Sequence, residues 1–137
     1  MLEKPAGEMP VTSENDAVSV RRAVRQAVIP LGFGVTDVTR IVTAASELTR
    51  NILKYAGSGS IRWRTIQNGA RVGIELTFVD QGPGIPDIDQ AMQEGFTTGR
   101  GLGLGLPGSK RLMDEMIVES AVGTGTTITV RKWLRRT

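Results

Sequence analysis

The sequence predicts an α+β two-layer sandwich, a mixed, mostly antiparallel sheet with helices on one face. Three observations predict it. Residues 60–79 alternate about an Asn68-Gly69 turn signal. Residues 117–133 form a second hairpin pattern about Gly123-Thr124-Gly125. Two earlier stretches, from Asn15 and from Asp37, carry apolar residues at helical spacing. With 137 residues, 39% hydrophobic and 23% charged, the chain has the size and balance of one globular domain.

Taken in order, residues 1–8 read as a flexible tail and 9–137 as the domain, with Pro10-Val11-Thr12 opening an edge strand. Asn15 or Asp16 caps a helix that carries Val18, Val20, Ala23, Val24, Ala27 and Val28 and ends at Pro30 and Gly32. Thr36 caps a long helix from Asp37 to Ala56, stopped by Gly57. In the hairpin, Ile61, Trp63 and Thr65 oppose Arg62, Arg64 and Ile66, and Val72, Ile74, Leu76 and Phe78 share one face of the return strand. Gly82-Pro83-Gly84-Ile85-Pro86 excludes helix and central strand, and Asp87 starts a short helix to Gly95. A glycine-rich loop leads to a helix from Leu104 to Met116, with Pro107 in its first turn. Strands from Ile117 to Val122 and from Thr126 to Trp133 complete the fold.

Composition narrows the chemistry. There are no cysteines and no histidines, so disulfides, thiolate metal sites, cysteine nucleophiles, a histidine base and a phosphohistidine are all excluded. Any general base is a carboxylate or a lysine. No apolar run reaches the roughly 20 residues of a membrane helix, and the first ten residues lack the core of a signal peptide, so the expectation is a cytoplasmic protein. The net charge of +3 is mild and is sharpest in Arg131-Lys132-Trp133-Leu134-Arg135-Arg136, read as a solvated strand end; no nucleic-acid or membrane partner is expected.

Four features carry the chemistry. Glu47 and Asn51, four apart, share a helix face beside the stripe Ile41, Ala45, Leu48 and Ile52. A carboxylate there deprotonates or orients a hydroxyl and an amide oxygen ligates Mg²⁺, although most such pairs are solvated surface. Asp80, at a strand end before Gly82 and Gly84, either accepts from an exocyclic amine or caps an ordinary tight turn. The run Gly99-Arg100-Gly101-Leu102-Gly103-Leu104-Gly105 precedes a helix and offers backbone N–H groups to phosphate. Gly103 to Gly108 also fits G-x-G-x-x-G, but a polar loop rather than a buried strand precedes it, which argues against a dinucleotide fold. The stretch Gly123-Thr124-Gly125-Thr126-Thr127 is first of all a hairpin turn, with a threonine hydroxyl available to add a hydrogen bond beside that aspartate.

In this order the four features resemble the N, G1 and G2 boxes of the GHKL, or Bergerat-fold, ATP-binding superfamily. The stretches Leu31-Gly32-Phe33-Gly34, Ser46-Glu47-Leu48, Asp80 to Asp87, Glu94-Gly95-Phe96 and Leu106 to Glu115, with Lys132-Trp133-Leu134, resemble the RsbT-type serine/threonine kinases of bacterial stressosomes. The resemblance implies ATP and Mg²⁺ as cofactors. It implies Glu47 as general base, Asn51 as Mg²⁺ ligand and Asp80 as adenine acceptor, with Gly82, Gly84, Ile85 and Thr126 beside it. It implies an ATP lid in which Thr98, Gly99, Gly101, Leu102, Gly103, Leu104 and Gly105 contact the nucleotide. Arg100 is a catalytic candidate at the γ-phosphate, its alternative a solvated loop arginine. Implied partners are a STAS-domain protein phosphorylated on Ser or Thr and a PP2C-type phosphatase. With no histidine and no room for a transducer domain, the alternatives are a kinase acting in trans and a catalytically weak ATP-binding protein that sequesters a partner.

Overall fold

The computed structural model describes residues 6–85, 92 and 106–135. The first described element is strand β1 (Ala6–Val11), so residues 6–8, expected in the tail, instead pair with Arg64, Trp63 and Arg62 of the next strand. The Trp63 indole lies against Gly7 where a Cβ would sit, and that packing leaves no periodic apolar signal in the sequence. Helix α1 (Glu14–Val28) is capped by Ser13, whose hydroxyl accepts from the Asp16 N–H at 3.4 Å. Asp16 is not the cap: its carboxylate turns back to accept from the Thr12 amide at 2.8 Å and the Thr12 hydroxyl at 2.9 Å. Ala17, Val20, Val24, Ala27 and Val28 face the core.

Helix α2 (Val35–Asn51) begins two residues earlier than expected, with Gly34 rather than Thr36 at the cap position; the Gly34 carbonyl takes the Val38 N–H at 2.9 Å. Val38, Ile41, Val42, Ala45 and Leu48 form its buried stripe. The helical path continues to Ala56 as expected, but residues Ile52–Ala56 form a wider π turn, closed by Gly57 N–H to Ile52 O at 2.9 Å. Such turns recur at functional sites.

Strands β2 (Gly59–Asn68) and β3 (Arg71–Asp80) form the expected hairpin. Its two loop residues are Gly69 and Ala70, and positive φ occurs at Gly69 only, the pattern of a type II′ rather than a type I′ turn. Helix α3 (Leu106–Leu112) is shorter than expected. The Asp114 N–H bonds the Arg131 carbonyl, and the Asp114 carboxylate takes the Trp133 N–H, so pairing with the last strand wins over helix. Strands β4 (Glu115–Ala121) and β5 (Gly125–Trp133) follow. The sheet order is β1-β2-β3-β5-β4, and every pairing among the described strands is antiparallel.

One sheet face supplies Ile61, Ile74, Leu76, Phe78, Ile128 and Val130 to a core shared with α1, α2 and α3. The other carries a charge ladder across four strands. Arg64 and Arg131 each donate from Nε to Glu75 at 2.8 Å, Arg131 also reaches Glu115 at 3.1 Å, and the Trp133 indole N–H donates to Glu115 at 2.6 Å. The run from Arg131 to Trp133 is therefore not a solvated end: Lys132 is 3% exposed and Arg131 is paired.

Burial pushes the Glu75 carboxyl up, but the Arg64 and Arg131 guanidiniums outweigh it and hold it below the usual carboxylate range. A depressed folded value stabilises the protein above the unfolded value, about 4.3 for glutamate, and that stability is lost as pH falls through the folded value. Urea midpoints taken from pH 7 down to 3 should therefore drop below about pH 4.3. Glu75→Gln should flatten part of that drop; an unchanged acid limb would show that Glu75 does not contribute to it.

Candidate functional site

Three segments meet at one end of the sheet. The first is the end of α2 and its π turn. Glu47 and Asn51 share a face there, and the Glu47 carboxylate, 44% exposed, accepts from Arg50 at 2.9 Å. The second is the end of β3 and the loop to Ile85. Asp80 is half-buried, and its Oδ1 accepts from the Gly82 N–H at 2.9 Å, so the tight-turn reading of this motif is correct as far as it goes. The third is the β4–β5 hairpin, in which Thr126 is the cross-strand neighbour of Asp80 and is 8% exposed.

Close backbone approach explains the glycines. A Cβ on Gly82 would lie 2.6 Å from the Ala56 Cβ, so only glycine lets the loop lie against the π turn. Gly125, at φ +114, faces the Asp80 carbonyl with no room for a side chain. Gly84, at φ +82, lies against Ala121. Loop and hairpin are also joined by Gly123 N–H to Pro83 O at 2.9 Å and by Ile85 N–H to the Ser120 hydroxyl at 2.8 Å.

The structure thus brings Asp80, Gly82, Gly84, Ile85 and Thr126 together, beside the helix end that carries Asn51. Thr98, Gly99, Arg100, Gly101, Leu102, Gly103, Leu104 and Gly105 lie outside the described residues. Two site groups escape motif reading. Arg50, on the same helix turn as Glu47, is one. Ser120 is the other, and its signal is parity: it shares a face with Met116 and Val118, which pack on the core, so a polar residue there needs a partner. Among the described residues no group of three His, Cys, Asp or Glu side chains could hold a metal. An amide oxygen beside a carboxylate still fits Mg²⁺, a hard cation that takes few protein ligands and completes its shell with substrate phosphates and water. No helix among the described residues is long and apolar enough to cross a membrane.

A family model described as histidine kinase-, DNA gyrase B- and HSP90-like ATPase matches residues 36–136. The serine/threonine-protein kinase RsbT of Bacillus subtilis (strain 168) is 49% identical over 125 residues, covering 91% of this chain and 94% of that protein. The anti-sigma F factor of Geobacillus kaustophilus is 35% identical, covering 90% and 88%. The catalytic domain of the histidine kinase ThkA superposes with a TM-score of 0.51 at 16% identity, covering 93% and 95%. The RsbU and RsbW domains of a Mycobacterium tuberculosis protein superpose with a TM-score of 0.58 at 20% identity, covering 93% of this chain and 31% of that one. These last two likenesses concern fold only. This chain belongs to the GHKL ATPases and, within them, to the RsbT-type serine/threonine-protein kinases.

Proposed function

We propose that the chain transfers the γ-phosphate of ATP to a serine or threonine of a STAS-domain partner, in a partner-switching module that also engages a PP2C-type phosphatase. The observation that carries this reading is the pairing of Asp80 with Thr126 at the sheet end, one loop away from the helix face of Glu47 and Asn51.

In this reading Asp80 accepts from the adenine amine through the oxygen that the Gly82 turn does not use. Asn51 offers its amide oxygen to Mg²⁺, which when bound neutralises phosphate charge. Glu47 accepts the proton of the incoming hydroxyl. The hydroxyl oxygen then bonds to the γ-phosphorus, the bond to the β–γ bridging oxygen breaks, and ADP leaves.

Asp80→Asn tests the adenine assignment. Asparagine keeps an oxygen for the Gly82 N–H, so the turn survives. It loses a charge-assisted bond of about 1.5–3 kcal/mol, roughly tenfold or more in affinity. Calorimetry should show that loss with an unchanged melting temperature. Equal ATP affinity in the two proteins would overturn the assignment.

A further inference from the structure

Ser120 meets three groups through one hydroxyl. Its Oγ lies 2.8 Å from the Ile85 nitrogen, 3.1 Å from the Gly125 carbonyl oxygen and 2.8 Å from Thr126 Oγ1. A serine hydroxyl has one proton and two lone pairs. The Ile85 N–H can only donate, so it takes one lone pair. The Gly125 carbonyl can only accept, so it takes the proton. Thr126 must then donate its own proton into the remaining lone pair, which leaves the Thr126 oxygen able only to accept.

Thr126 stands directly across the strand pair from Asp80, whose Oδ1 is engaged by the Gly82 N–H. Two acceptors side by side suit an exocyclic amine, which has two N–H bonds. They repel a carbonyl oxygen in the same place. We infer that Ser120 is a positioning residue: by holding Thr126 as an acceptor, it sets a preference for an amino-purine over an oxo-purine nucleotide. The inference rests on the reading that Asp80 and Thr126 line the purine pocket.

The test measures ATP and GTP affinities of the wild type, Ser120→Ala, Ser120→Thr, Thr126→Val and the double variant Ser120→Ala/Thr126→Val. The wild type should prefer ATP. Ser120→Ala frees the Thr126 hydroxyl to turn, so ATP should weaken about tenfold, the size of one or two lost hydrogen bonds, while GTP does not. Thr126→Val should narrow the ATP-to-GTP ratio similarly, and the double variant should add little, because both changes remove the same acceptor. Ser120→Thr keeps the hydroxyl and should restore the ratio.

A serine that only clamps the loop to the hairpin would weaken both nucleotides equally, and that result overturns the inference. So does an additive double variant. If Ser120→Ala does not fold, Thr126→Val decides the matter: a wild-type ratio in that protein overturns the inference. A wild type that binds neither nucleotide removes the purine pocket itself, and this inference with it.

Discussion

Glu47→Gln should bind Mg-ATP about as well as the wild type and phosphorylate its partner roughly 10²–10⁴ times more slowly, the usual contribution of a positioned base. Glutamine is isosteric and keeps an oxygen for Arg50, so the helix surface barely changes. The Glu47–Arg50 pair is exposed and contributes little to stability, so its weakening is not the source of the expected rate loss. With no histidine in the chain, no imidazole can take over the proton. Single-turnover transfer, started from preformed enzyme–ATP, separates the chemical step from binding. A wild-type single-turnover rate in Glu47→Gln would reduce Glu47 to a residue that orients groups without taking a proton.

Lys132→Met should cost about 2–3 kcal/mol of stability, roughly 10 °C in melting temperature, and leave ATP affinity unchanged. The ammonium is buried where three elements meet. It donates to the Leu112 carbonyl at the end of α3 at 2.8 Å and lies 3.6 Å from Asp114 and 3.8 Å from Asp37 in the first turn of α2. Removing one partner of a buried pair commonly costs about 3–5 kcal/mol. The lower figure follows because Asp37 keeps Arg40 at 3.1 Å and Asp114 keeps the Trp133 N–H and is 35% exposed. Along β5, Lys132 and Thr126 are six positions apart, about 20 Å at strand spacing, so the nucleotide end should not register the change. Thermal melts and calorimetry on one preparation check both halves. A Lys132→Met protein as stable as wild type would show that the buried charge contributes nothing net.

The sequence was most legible where periodicity and turn chemistry agree. The β2–β3 hairpin is one such place, and the Phe78, Leu76 and Ile74 face of its return strand is buried as expected. The long helix is another, ending at Gly57 as its pattern requires. Boundaries failed where a tertiary partner decided them. Helix α3 stops at Leu112 because Asp114 is claimed by β5, and β1 extends back to Ala6 because Trp63 packs under Gly7. The basic run near the end of the chain misled for the same reason, since charge on paper does not reveal that Glu75, Asp37 and Asp114 lie opposite it. In the site, Asp80 and its glycines stand out as a motif. Ser120 does not, because its role comes from three groups that meet only after folding.

Phosphoryl transfer in trans can be observed in a single assay. The protein is incubated with γ-labelled Mg-ATP and a STAS-domain protein from the same genome, with the Glu47→Gln variant in parallel. Label should appear on a serine or threonine of the STAS protein, formed by the wild type and slowed at least a hundredfold in the variant. Tight ATP binding with no label on that partner would contradict transfer in trans, whereas equal labelling by both proteins would leave the transfer standing and remove Glu47 as its base.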